Sequence, residues 1–196
     1  YQQAAELDPT GYYSERSREL SLGLQPLTTT SELNLDYDLD QERGLAEAWL
    51  RFTFSIPEGT NLSGLGLLAE DPDMARGNAL WKIGLFKQAD EQFTRVRLNI
   101  KDDAVRNYHF LNHMLSLGFY QQAIYASRQI LDLANMDDLG TLSAPVFFNH
   151  VRFGIYYKDI VLEAAEQHKI SPVLLLSMIR QESMFTGFAG SSAGAH

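Results

Sequence analysis

Glu182 ends a run of large apolar residues, Val173-Leu-Leu-Leu-Ser-Met-Ile-Arg-Gln-Glu182, and nine positions later comes a small-residue turn, Ser191-Ser-Ala-Gly194-Ala195-His196. A carboxyl in the last turn of an apolar helix meets two influences that disfavour its ionised form, the negative end of the helix dipole and an apolar neighbourhood. A carboxylic acid held protonated near neutral pH is what general acid catalysis at a glycosidic oxygen requires. The plainer reading makes Glu182 a solvated residue at a helix end or the ion-pair partner of Arg180. Residue type and position alone do not separate the two. Most glycosidases use two carboxylates flanking the bond, and this segment offers no second acid close to Glu182.

Other candidates carry less. His109 and His113, four apart on a helix, would present two metal ligands on one face, but no third ligand is marked. Trp49 and Trp81 fall in helical apolar patterns and read as core rather than as sugar-stacking platforms. Asp36, Asp38 and Asp40 begin like a calcium loop but lack its central Gly and terminal Glu, so a solvated loop is expected. His168 and Lys169 read as a polar corner between two helices. With no cysteine, disulfides, Cys-ligated zinc and thiol catalysis are excluded. A formal charge of −9 argues against nucleic acid and anionic membrane surfaces as partners. No apolar run reaches the roughly 18–20 residues that span a bilayer.

The elements that must position these residues read as all-α. Residues 1–70 open with a polar, irregular stretch that allows a helix near Ser14–Leu20. A second helix is expected over about Gln41–Phe54, with Leu45, Ala48, Trp49 and Phe52 forming its apolar stripe. From Asp73 the pattern is helical and repeats. Asn78-Ala-Leu80-Trp-Lys-Ile83-Gly84-Leu-Phe86-Lys-Gln88-Ala89 aligns without a gap on Asn112-His-Met114-Leu-Ser-Leu117-Gly118-Phe-Tyr120-Gln-Gln122-Ala123, 34 residues later. A Gly ends one helix, an aromatic packs at the corner and a small Ala lets the next helix approach. The segment resembles the inter-helix half of a tetratricopeptide repeat, so 71–150 is expected to be helical hairpins. A break between Asn135 and Asn149 is the candidate boundary before residues 151–196. There one helix is expected over about Tyr157–His168, with Ile160, Val161, Ala164 and Ala165 on one face. A second begins at Ser171 as N-cap and Pro172 at N1, and is expected to be buried almost all round.

Gln181-Glu182-Ser183, then Phe185, then Ser191-x-x-Gly194-Ala195 resembles the N-terminal signature of soluble lytic transglycosylases, bacterial enzymes whose lysozyme-like domain cleaves peptidoglycan. Tyr157-Lys-Asp-Ile-Val161-Leu-Glu-Ala-Ala165 and Ser171-Pro172-Val-Leu-Leu-Leu match that family's lead-in, and its members often carry helical hairpins ahead of the catalytic domain. The resemblance implies a superhelix of hairpins followed by the first helices of a lysozyme-like domain, in a piece of a longer protein (residue 1 is Tyr). It makes Glu182 the single acid/base. Ser183 would fix the helix end, Ser191 would lie near the active site, and Gly194-Ala195 would open the turn leading to the substrate-lining run. Thr186-Gly187 departs from the family's Asn-Pro, so the following loop is expected to differ in shape. The implied reaction needs neither metal nor cofactor, takes peptidoglycan strands as substrate and places the protein outside the cytoplasmic membrane. The resemblance also implies that most of the groove lies beyond His196, so the 196-residue chain alone is expected to be inactive. The alternative is a helical-repeat interaction module whose C-terminal segment is a docking helix.

Overall fold

The computed structural model describes residues 11–25 and 35–188, with the single positions 3 and 6. The described residues contain nine α-helices and no strand, an all-α fold. The helices are α1 (Tyr12–Ser21), α2 (Leu39–Thr53), α3 (Pro72–Lys82), α4 (Phe86–Asn99), α5 (Ala104–Leu117), α6 (Tyr120–Leu133), α7 (Val146–Arg152), α8 (Lys158–His168) and α9 (Pro172–Ser183). None is long and apolar enough to cross a membrane.

Aspartates set three of the helix starts. Asp38 accepts from the Asp40 N–H at 2.8 Å, Asp71 from the Asp73 and Met74 N–H groups at 2.8 and 2.9 Å, and Asp103 from the Arg106 N–H at 2.9 Å. Each satisfies donors that a helix start otherwise leaves orphaned. The two hairpins, α3–α4 and α5–α6, turn in the same way. Gly84 and Gly118 take left-handed backbone (φ +80° and +73°). The next residue's N–H reaches five positions back, Leu85 to the Leu80 carbonyl at 3.0 Å and Phe119 to the Met114 carbonyl at 2.9 Å. That Schellman-type closure is repeated in both units. Ala89 and Ala123, the paired small residues, are completely buried.

The main core runs through Leu50 of α2, Met74, Phe93, Tyr108, Phe110, Met114 and Ile130 of the hairpins, and Phe147, Phe148 and Val151 of α7. A second cluster joins Ile124, Tyr156 and Phe185, with Leu176, Ile179 and Met184 against it.

Four expectations need correction. In α2 the buried face is Ala46 and Leu50 with Trp49, whereas Leu45 is 73% and Phe52 89% exposed. Trp49 decides the rotation by setting its edge against Phe54 and Phe148. The break from Asn135 to Asn149 contains a 3-10 turn, Gly140–Ser143, and the start of α7, with Pro145 at its N-cap; Phe147 and Phe148 are core residues. Ile160 of α8 faces outward, and only Val161 and Ala165 of that helix are buried. No residue of α9 is buried: Leu174 and Met178 are 43% and 53% exposed. A helix apolar on every side is covered only when neighbours stand on every side. Among the described residues, α9 has α8 as its principal neighbour and touches the core through its last two turns alone.

Candidate functional site

The end of α9 is built by a double reversal. Met184 and Phe185 both take left-handed backbone, φ +49° and +61°. The Met184 N–H closes the helix on the Arg180 carbonyl at 3.0 Å, and the Thr186 N–H bonds the Ser183 carbonyl at 3.0 Å. Non-glycine residues at positive φ are unfavourable singly and persist where surrounding packing holds them. Here the packing is visible. Phe185 is buried edge-on against Tyr156, ring centroids 5.1 Å apart. Phe188 stacks on Phe86 and sets its edge to Phe119 and Trp81 at the corners of both hairpins.

Glu182, one residue from the end of α9, is left exposed by this reversal, not buried among apolar side chains as expected. Ser171 sits at the N-cap with extended backbone but makes no side-chain cap bond, so Pro172 alone carries the start signal. Ser183 donates from Oγ to the Ile179 carbonyl at 3.1 Å, a bond within the helix. Ser191, Gly194 and Ala195 lie outside the described residues.

Arg180 does not pair with Glu182. Its Nε donates to the Arg152 carbonyl at 2.9 Å and its guanidinium lies 4.7 Å over the Phe153 ring. Burial there pulls the guanidinium below its ordinary value. Glu182 makes no hydrogen bond or ion pair with any described residue. It lines an open depression of about 460 Å³ whose opposite wall is formed by Lys87 and Asp90 of α4 and Gln121 and Tyr125 of α6. Asp90 is thus a second carboxylate in the concavity of Glu182. Sequence reading missed it because the two lie on helices far apart in the chain.

Asp90 is held. Gln122, almost fully buried, donates from Nε2 to Asp90 Oδ1 at 2.7 Å and to Thr94 Oγ1 at 2.9 Å, and its Oε1 accepts from Arg97 Nε at 3.0 Å. The Arg97 guanidinium lies 4.9 Å over the Tyr125 ring, and its burial pulls it below the ordinary arginine value. Thr186, also on the lining, buries its Oγ1 without a hydrogen-bond partner among the described residues.

The remaining candidates separate. His109 and His113 turn to different partners, Nδ1 of His109 to the Gly64 carbonyl at 2.9 Å and Nε2 of His113 to Asn78 Oδ1 at 2.7 Å. No group of three or more potential metal ligands occurs among the described residues. Trp49 and Trp81 pack against the core, Trp81 stacked on Phe119 at 5.0 Å. Of the three acids, Asp38 caps α2, Asp40 pairs with Arg43 at 2.9 Å and Asp36 pairs with Lys158, which holds the Asp36 carboxyl below its ordinary value. His168 and Lys169 are exposed at the corner between α8 and α9.

A larger hollow, about 910 Å³, lies between residues 35–42 and 150–158. There His150 Nδ1 bonds both carboxylate oxygens of Glu42, at 2.8 and 2.9 Å, and its ring stacks on Tyr37 at 3.9 Å. Glu42 and His150 are 108 positions apart in sequence, and neither sits in a pattern that would have marked it.

Compared with protein-family models, curated proteins and solved structures, the chain finds no match.

Proposed function

We propose that this protein cleaves the glycan strands of peptidoglycan, with Glu182 as its general acid and base. The carboxylic acid protonates the oxygen leaving between N-acetylmuramic acid and N-acetylglucosamine. The resulting carboxylate then takes the proton of the muramic C6 hydroxyl, whose oxygen closes on C1 to leave a 1,6-anhydro ring. No water is consumed, and no step calls for a metal or cofactor. The substrate places the work outside the cytoplasmic membrane. Gln181-Glu182-Ser183 with Phe185 supplies the motif. The observation carrying the reading is that Glu182 stands at a concavity unpaired with Arg180, which is committed to Arg152 and Phe153.

The test is loss of turbidity of purified cell walls, using the protein as its complete gene encodes it and a Glu182→Gln variant. Clearing by the parent and a fall of at least a hundredfold in the variant support the role; removing a positioned proton donor costs about 10²–10⁴ in rate. Equal clearing by both defeats it.

A second reading, a helical-repeat module that binds another protein, draws on Leu45 and Phe52 on the outer face of α2. Exposed apolar side chains on one helix face are common at contact surfaces. Retention of every wall-independent phenotype by the Glu182→Gln variant would favour it.

A further inference from the structure

We infer that the hairpin pair forms the second wall of a saccharide-binding cleft. In it Tyr125 of α6 and Asp90 of α4 hold the sugar opposite Glu182, and Arg97 positions both. The saccharide class rests on the function proposed above; the walls follow from the geometry. Ligand sites combine apolar or aromatic surface with a few polar groups fixed in advance, and fixing them beforehand removes an ordering cost at binding.

The wall has that construction. Asp90 takes the Gln122 amide on Oδ1. Gln122 cannot swing away, because its carbonyl oxygen is tied to Arg97 Nε at 3.0 Å and its amide also reaches Thr94 at 2.9 Å in a nearly water-free position. The same Arg97 lies 4.9 Å over the Tyr125 ring. One guanidinium therefore sets a carboxylate and an aromatic ring in a single network, and networks of this kind stiffen their members. Tyr125 is still 37% exposed, so a face or edge of the ring is open to a ligand. Facing this wall are Glu182 and Thr186. A fixed carboxylate, the Lys87 ammonium, a presented ring and the side-chain amides of Gln121 and Gln181 together suit a polar N-acetylated sugar better than an apolar peptide.

The experiment is calorimetric titration with the N-acetylglucosamine tetramer. The parent protein is compared with Tyr125→Ala, Asp90→Ala, Arg97→Met, Glu182→Gln and the remote Leu45→Ser, each first checked for helicity by circular dichroism. Gln121→Ala replaces any wall variant that fails to fold. The parent and Leu45→Ser should bind alike, and Tyr125→Ala, Asp90→Ala and Arg97→Met at least tenfold more weakly. No binding by the parent, or unchanged binding by the wall variants, overturns the inference. Weakening at the wall while Glu182→Gln still clears cell walls would uphold the cleft and remove the catalytic reading. Loss of clearing in Glu182→Gln with full binding in the wall variants would do the reverse.

Discussion

Gly77 and His113 show how single positions constrain the hairpin core. A Cβ built on Gly77 of α3 would lie 2.6 and 2.8 Å from two ring carbons of Phe93, which is completely buried. Gly→Ala within a helix ordinarily gains about 1 kcal/mol of propensity. Overpacking a core that cannot yield costs about 1–3 kcal/mol. The clash involves a ring fixed edge-to-face by Phe110 and Phe119, so the penalty should prevail. Gly77→Ala is expected to lower stability by about 1 kcal/mol in urea denaturation, and a gain would show that Phe93 has room to move. His113 carries the pH dependence. Its burial beside Asn78 holds the imidazole below its ordinary value of 6.5. The unfolded chain therefore takes up the proton first as pH falls through 6.5, and the folded state follows only lower down. In that window the unfolded state binds more protons, so this contribution to stability declines with acidification and is fully present above it. Comparing parent and His113→Gln at pH 7.5 and 5.5 should show the larger acid loss in the parent. Equal losses would remove His113 as the cause.

The elements explain what could be read from the sequence and what could not. The two hairpins were legible because the signal is local: Gly84 and Gly118 need left-handed backbone, and Ala89 and Ala123 need a close approach, wherever they fall in the fold. The face of α2 was not. Leu45, Ala48, Trp49 and Phe52 make as good a stripe as Ala46, Trp49 and Leu50, and periodicity has no means of choosing between two apolar stripes that share Trp49 on one helix. Phe148, on a helix hidden behind the break signals Asp137, Gly140 and Pro145, made the choice. For the same reason Asp90 escaped notice beside Glu182: their nearness depends on how α9 ends over the hairpins. The α2 assignment can be tested directly. Leu50→Ala should cost about 2–5 kcal/mol, as large-to-small changes in a filled core do. Phe52→Ser, a larger chemical change, should stay within about 0.5 kcal/mol, as exposed substitutions do. Reversed magnitudes in paired thermal melts would restore the stripe first read from the sequence.

Across the whole molecule, residues 35–42 are strapped to residues 150–158. The Ile155 N–H donates to the Tyr37 hydroxyl at 2.9 Å, that hydroxyl reaches the His150 carbonyl at 3.4 Å, Lys158 donates to the Leu35 carbonyl at 2.9 Å, and His150 holds Glu42. Burial pushes the Tyr37 hydroxyl above its ordinary value, so it remains protonated and able to donate throughout the neutral range. The strap meets the core through α7, whose Phe147, Phe148 and Val151 belong to the main core and which packs against α2 and the second hairpin. Because that core is shared, breaking the strap should shift a single unfolding transition rather than release one segment. Tyr37→Phe keeps the ring that stacks on His150 and removes only the oxygen, stranding the Ile155 N–H. Loss of one partner from a half-buried hydrogen bond costs about 1 kcal/mol, at the lower end of the range for a buried group. Lys158→Met deletes an exposed ion pair with Asp36 and the bond to the Leu35 carbonyl, and exposed pairs of this kind contribute little. Urea titrations followed by tryptophan fluorescence and by circular dichroism should therefore coincide for both variants, with Tyr37→Phe moving the midpoint further. The slope should be unchanged, since the surface exposed on unfolding is the same. Two separated transitions in Tyr37→Phe would mean that the residues from 150 onward fold apart from the hairpins, and the strap would then be a tether between two bodies.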